Sequence, residues 1–326
     1  FGQVIVGAPG SGKTTFSRGV KDFLNSIERP TVIVNLDPGN DVLPYEAAVN
    51  IMDLISLDEV MDELQLGPNG GLIYCVEYME KNLDWLKEQL EQHCKDQYVL
   101  FDCPGQVEIY THHTSMRNIL AAFNDWGWQL CVVHLVDAHH CSDASKFVAA
   151  SLMSLASMTM LELPHVNILS KIDLVQRLGR LDFNLDYYTS GYELARLPEL
   201  LSKKEGVHKV AEQEGHAAAS KSVLVEAQNR LRRFETAIAN VVDDFSLVNF
   251  IPTSINDKDT IAYACRVIDK ANGYLYSIGK QIDGDTQGIG RALELDDILE
   301  LIEERYIFDP DDPYDEHSSG TEEEES

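Results

Sequence analysis

Gly7-Ala8-Pro9-Gly10-Ser11-Gly12-Lys13-Thr14 follows the apolar run Gln3–Val6 and opens a segment of helical pattern. G-x-x-x-x-G-K-[ST] between a strand and a helix is a phosphate-binding loop. Its glycines let backbone N–H groups turn inward toward phosphate, and the helix N-terminus adds partial positive charge. Gly7, Gly10, Ser11 and Gly12 are the expected cradle, with Thr15 behind it. Lys13 is expected to reach the terminal phosphates of a nucleoside triphosphate, and the Thr14 hydroxyl to ligate Mg²⁺. Strand, spacing and helix coincide, which a chance Gly-rich turn does not achieve.

Working outward, six short apolar segments alternate with longer helical patterns: Gln3–Gly7, Thr31–Leu36, Gln97–Asp102, Gln129–Asp137, His165–Ser170 and Leu247–Ile251. Strands apolar on both faces and separated by helices predict an α/β fold with a doubly wound, mainly parallel six-stranded sheet. About sixty residues of mainly helical pattern separate the second and third segments, far more than a hairpin connection needs. An antiparallel second strand is therefore disfavoured. The sequence divides into a P-loop domain over 1–280, with a helical insertion at about 179–244 and a polar, mobile stretch at 202–220. A Gly-rich spacer, an acidic helix and a disordered acidic tail over 281–326 are expected to follow.

In a parallel sheet the carboxyl ends of the strands face one crevice. Asp102 ends the third segment and is the expected metal-side acid, followed by Cys103-Pro104-Gly105-Gln106-Val107-Glu108. Gly105 can bring a bare N–H to a terminal phosphate, and Gln106 can hold a water in line for attack. Glu108 either orients Gln106 or merely opens a helix with a favourable charge. Asp37, after Asn35-Leu36, either binds Mg²⁺ through water or takes the attacking water's proton; Asp-Pro is also a common turn starter. Ser170-Lys171-Ile172-Asp173 ends the fifth segment. A carboxylate at Asp173 would accept both N1–H and the 2-amino group of guanine, a donor pair adenine lacks. The Lys171 stem can lie over the base, and Thr253 can bring backbone N–H toward it. GTP/GDP and Mg²⁺ are the expected ligands.

A helix is expected to open at Ser56, where Ser-Leu-Asp-Glu reads as a capping box, and to end at Gly67. A second is expected to begin near Gly71. Gly67-Pro68-Asn69-Gly70-Gly71 between them is richer in Gly and Pro than a turn needs. The phosphate loop has Ala8 and Pro9 where some hydrolases place a second Lys, and no Arg follows Asp37 closely; Arg117 is the nearest candidate. A rigid Gly-Pro-Asn element presenting an amide and bare backbone donors from a second subunit is an alternative way to complete the phosphate cage.

These residues together resemble the GPN-loop GTPases: the phosphate loop, Asn35-Leu36-Asp37-Pro38, Gly67-Pro68-Asn69, Asp102-Cys-Pro-Gly-Gln106 and Ser170-Lys171-x-Asp173. The resemblance covers about residues 1–275 and is strongest to the second of three eukaryotic paralogues, through Leu66–Gly71, Asn82–Trp85, His134–Asp137 and Phe183–Tyr188. It implies GTP hydrolysis in a homodimer, or in a heterodimer with a paralogue, each subunit reaching across with Gly67, Pro68 and Asn69. It also implies a role in RNA polymerase II assembly and import, with polymerase subunits or assembly factors as partners, in a protein that is cytoplasmic and shuttles to the nucleus. Gly39 departs from the Ala usual in the family.

Composition narrows the partners. A net charge of −28 repels nucleic-acid phosphates, so no direct nucleic acid is expected. No uncharged run reaches the length of a membrane span. Six cysteines are scattered without a Cys-x-x-Cys pair, which suits free thiols in a reducing compartment. The crowding of His134, His139, His140 and Cys141 reads as incidental rather than as zinc. The chain opens at Phe1 without a Met, so a trimmed natural start is expected. Phe147–Leu161, apolar all round with Met153, Met158 and Met160, is read as a core or dimer helix, or as a groove for hydrophobic clients. Leu293, Leu295, Ile298, Leu299 and Leu301 form an amphipathic helix or an export-type peptide. Two other function classes stay open: a dimeric ATPase of the same superclass, and a nucleotide-holding scaffold without turnover. A small-molecule kinase is weaker for want of a basic acceptor cluster.

Overall fold

Alternation along the fourth strand assigns its side chains to two opposite layers. Val99 and Phe101 join one buried cluster, Tyr98 and Leu100 another, as a two-residue period across a sheet requires. The computed structural model describes residues 1–178, 185–189, 230, 233–234, 236–242, 244, 248–277 and 294–307. The polar stretch at 202–220, the spacer at 283–290, the acidic tail and most of the expected insertion lie outside the described residues.

The strands are β1 Gly2–Gly7, β2 Thr31–Asn35, β3 Ala47–Asn50, β4 Tyr98–Asp102, β5 Leu130–Asp137, β6 His165–Ser170 and β7 Phe250–Thr253. They form one sheet in the order β3-β2-β4-β1-β5-β6-β7, and every pairing is parallel. The fold is therefore the expected doubly wound α/β sheet, with seven strands among the described residues instead of six. β3 escaped the sequence reading because Ala47-Ala48-Val49-Asn50 carries a single β-branched residue at a sheet edge. It is pinned by Asn35, whose Nδ2 donates to Asn50 Oδ1 at 2.9 Å. The last strand begins at Phe250, not Leu247.

Helices cover both faces. α1 Lys13–Ser26 sets Phe16, Val20 and Leu24 at four-residue spacing against Ile5, Ile33 and Leu100. On the other face α2 Leu57–Leu64, α3 Pro68–Lys81, α4 Leu83–His93 and α6 Ser115–Asp125 (after the single turn α5, Glu108–Thr111) enclose Phe101 and Phe123. The two rings lie 5.0 Å apart and are fully buried; truncating either to Ala would cost about 3–5 kcal/mol. α7 Ala144–Leu161 is N-capped by Asp143, which accepts from the amides of Ser145 and Lys146. It packs onto β5 and β6, where Ser154 Oγ meets His134 Nδ1 at 3.0 Å. α8 Leu185–Thr189 places Tyr188 edge-on to Phe147.

The helix after β7 is shorter than its pattern suggests. α9 runs Lys258–Ala271 and breaks at Gly273, which has φ 80, before α10 Tyr274–Ser277. α11 Leu295–Ile302 is the amphipathic terminal helix, with Ile298, Leu299 and Ile302 buried beside Ile172, Val175 and Phe250.

The joint between α2 and α3 also corrects the sequence reading. Ser56 caps α2 as expected, accepting from the Glu59 amide at 3.3 Å. The helix ends at Leu64, however, where Gln65 turns left-handed. Gly67 is the N-cap of α3 and Pro68 its first residue. Pro suits that position because it lacks the N–H that would be unpaired there. Gly67 to Gly71 is thus the opening of a helix and not a separate loop.

Candidate functional site

Six strand ends meet in one crevice. The register sets Asn35 beside Asp102, Asp137 beside Ser170 and Ser170 beside Thr253. The phosphate loop leaves β1 among them. Gly12 caps α1 with φ 93, in the left-handed region that glycine tolerates. The Lys13 side chain folds back so that Nζ donates to the carbonyls of Gly7 at 3.0 Å and Ala8 at 3.1 Å. Burial pulls the Lys13 pKa down, and the nearby carboxylates of Asp102 and Asp37 oppose that shift. Thr15 is exposed on the first turn of α1, whereas Ser11 is buried with its hydroxyl unpaired.

Asp102 is buried, and burial raises its carboxyl above the ordinary range. Hydrogen bonds from Tyr45 and Thr14 and the charge of Lys13 act against that rise. Its Oδ2 accepts from the Tyr45 hydroxyl at 2.6 Å, while Oδ1 is buried with no partner. An orphaned carboxylate oxygen beside a Thr hydroxyl fits a hard divalent cation, and Mg²⁺ is held by one or two carboxylates plus phosphate oxygens. Thr14, Asp102 and, at the rim, Asp37 would hold it. Among the described residues no three His, Cys, Asp or Glu side chains form a metal site by themselves; Mg²⁺ commonly completes its shell with phosphate oxygens and water.

Asp37 sits in a turn built by its neighbours. Its Oδ1 accepts from the Gly39 amide at 3.0 Å, and its own amide donates to Asn35 Oδ1 at 3.2 Å. Burial raises its carboxyl pKa; the Gly39 amide and Lys13 lower it. A methyl group on Gly39 would meet a Leu57 side-chain carbon at 2.9 Å, a flexible contact that an Ala could displace.

The turn after β4 closes on the phosphate loop. A Cβ added to Gly105 would lie 3.0 Å from Lys13 Nζ and 3.4 Å from Pro9 Cα, so a larger residue here would press on the Lys13 ammonium. Tyr110, fully buried, donates its hydroxyl to the Pro104 carbonyl and fixes the turn. Gln106 has a buried, unpaired Oε1. Glu108 is exposed as the first residue of α5, the position a plain helix-start acid occupies. Arg117 on α6 pairs with Glu162 at 3.1 Å.

At the far side, Ser170, Lys171 and Asp173 surround the loop's other flank. The Ser170 hydroxyl lies 2.8 Å from the Ser11 carbonyl and 3.1 Å from that of Val136. Lys171 has φ 60, a left-handed conformation uncommon outside glycine. It lays its stem over Gly12 and donates to the Gly10 carbonyl at 2.6 Å and Asp137 at 2.7 Å. Asp173 accepts from Asn256 Nδ2 at 3.4 Å. Thr253 is buried, its hydroxyl turned to the Ile251 carbonyl.

Gly67, Pro68 and Asn69 open α3. All three are exposed, and a Cβ on Gly67 would meet nothing within 4 Å. Sequence reasoning missed Tyr45, Asp137 as the partner of Lys171, and Asn256. Tyr45 carries no motif, while Asp137 stood in plain sight at a strand end.

The chain matches, over residues 5–274, a family described as conserved hypothetical ATP binding protein. It is 48% identical over 279 residues to the GPN-loop GTPase 2 of Danio rerio, spanning 85% of this chain and 82% of that one. It is 47% identical over 276 residues to the GPN-loop GTPase 2 homolog of Dictyostelium discoideum, spanning 85% and 81%. Among solved structures, a GTPase in apo form from Pyrococcus abyssi has a TM-score of 0.61 at 18% identity, over 83% of this chain and 97% of that one. That likeness extends to the fold. With identity this high to relatives of one name, over most of both chains, the chain belongs to the GPN-loop GTPase family.

Proposed function

We propose that the chain hydrolyses GTP to GDP and phosphate with Mg²⁺, as half of a dimer whose geometry reports the nucleotide, and serves the assembly and import of RNA polymerase II. The observation that carries the hydrolytic part is the approach of Gly105 to the Lys13 ammonium. It brings the Gln106 turn to the position that a terminal phosphate on Lys13 would occupy. The phosphate-loop amides and Lys13 then bind the β- and γ-phosphates. Gly105 offers its N–H to the γ-phosphate, and Gln106 orients a water for in-line attack. Asp37 accepts the water's proton or holds the ion's water shell. Mg²⁺, when held by Thr14 and Asp102, would neutralise phosphate charge. Asp173 reads guanine, supported by its place beside Asn256 and the Lys171–phosphate-loop contact.

Dimerisation is supported by the first turn of α3. An exposed Asn69 and the free amides of a helix N-terminus suit a phosphate on another subunit. The partner is a second copy or a paralogue. The polymerase role, and a cytoplasmic protein that enters the nucleus, rest on family resemblance. The family description's mention of ATP keeps one rival, an ATPase using the same machinery. One set of measurements tests the reading. GDP should bind more tightly than ADP, and Asn69→Ala should cut turnover at least about tenfold with GDP affinity nearly unchanged. Preference for ADP would establish the rival. Equal loss of binding and turnover would sink the role of Asn69 across the dimer.

A further inference from the structure

The loop after β7 is held from outside the sheet by residues just after α11. Asp257, buried, caps α9 by accepting from the Asp259 amide at 3.0 Å through Oδ1. Its Oδ2 accepts from Arg305 Nη1 at 2.7 Å and from the Tyr306 hydroxyl at 3.2 Å. Arg305 Nη2 reaches Asp259 at 3.2 Å. Between Ser254 and Asp257 stands Asn256. Its amide donates to Ser254 Oγ at 3.2 Å, and its side chain donates to Asp173.

A second connection runs through the core. Ile298, Leu299 and Ile302 of α11 are buried in the same cluster as Ile172 and Val175, which flank Asp173. The terminal segment therefore grips both loops that border the guanine position: 254–257 through hydrogen bonds, and 171–175 through apolar packing. A helix whose role was to fill the core would need only the packing. The paired cation and phenol on one buried carboxylate add directional control to the loop that carries Asn256.

We infer that the segment Leu295–Ile307 tunes guanine affinity, with Arg305 and Tyr306 acting as positioning residues for Asn256 and Asp173. This rests on the guanine reading of Asp173 given above. It makes this segment, beyond the matched family region of residues 5–274, part of the nucleotide site.

The test uses the full chain with Arg305→Gln, Tyr306→Phe and Arg305→Lys. Affinities for GDP, ADP and inosine diphosphate, which lacks the 2-amino group, are measured by competition against a ribose-labelled fluorescent GDP. Melting is followed without nucleotide to establish that each variant folds. Because Arg305 is half exposed, screening limits the effect. Arg305→Gln and Tyr306→Phe should each weaken GDP binding about fivefold and inosine diphosphate by a smaller factor, about twofold, since a displaced Asp173 loses two donors from guanine but only N1–H from hypoxanthine. Arg305→Lys should recover part of the loss. Wild-type affinities in both variants, or parallel losses for GDP and inosine diphosphate, would overturn the inference. A wild-type chain that binds GDP no better than ADP would instead remove the guanine reading beneath it.

Discussion

The Ser170 hydroxyl lies 2.8 Å from the carbonyl oxygen of Ser11, across 159 positions of sequence. It ties the base-reading end of β6 to the middle of the phosphate loop, while its 3.1 Å approach to Val136 ties it to β5. Ser170 is thus a short bridge between two binding loops.

Ser170→Ala should weaken GDP binding roughly tenfold, because a buried carbonyl loses its donor at a cost of about 1–3 kcal/mol. Titration with GDP measures it. An unchanged affinity would mean that the phosphate loop holds its shape without β6.

Gln106→Leu should slow single-turnover hydrolysis at least about tenfold and leave GTP affinity near wild type. The substitution keeps similar bulk but removes the amide whose Oε1 is buried and unpaired. A wild-type rate would take Gln106 out of the mechanism.

Tyr45→Phe tests the acid at the metal position. Burial already holds the Asp102 carboxyl above its ordinary range, and the Tyr45 hydroxyl counteracts part of that rise. Without the hydroxyl the pKa rises further, so less of Asp102 is ionised at any mildly acidic pH. The acid limb of the hydrolysis profile should shift to higher pH, and excess Mg²⁺ should partly restore the rate. Superimposable profiles for the two proteins would show that Tyr45 does not set the charge of Asp102.

His134 and His165 predict how stability varies with acid. Burial lowers His134 from 6.5 to about 4 and His165 from 6.5 to about 3. The folded chain therefore binds fewer protons than the unfolded one through this range. Their contribution is complete above pH 6.5 and is lost as pH falls toward the folded values. His165→Gln should narrow the gap in urea midpoint between pH 7 and pH 5 by removing one of the two groups. An unaltered gap would place the acid sensitivity elsewhere.

Much of the site was legible because its chemistry is local. A phosphate loop needs Gly, Lys and Thr at fixed spacing between a strand and a helix, and Gly7–Thr14 meets that within eight residues. Asp102, Gly105 and Gln106 follow one strand end, so their order along the chain is also their order in space. β3 was illegible because two alanines and an asparagine show no strand preference. Its pairing depends on β2 and on the Asn35–Asn50 bond. The Gly-Pro-Asn segment was recognised but its conformation was not. Glycines suggested a loop, whereas Pro68 at the first position of α3 instead starts a helix.

By itself, the sequence determined the parallel α/β class, the phosphate loop, and the acids and amides at the strand ends, since each follows from short-range pattern or backbone geometry. Tertiary structure alone decided that Tyr45 reaches Asp102, that Lys171 crosses to Gly10 and Asp137, and that Arg305 and Tyr306 return to Asp257. Each of these is a hydrogen bond between groups far apart in the chain. Such contacts form only after burial of the sheet's two apolar faces has fixed where the loops emerge.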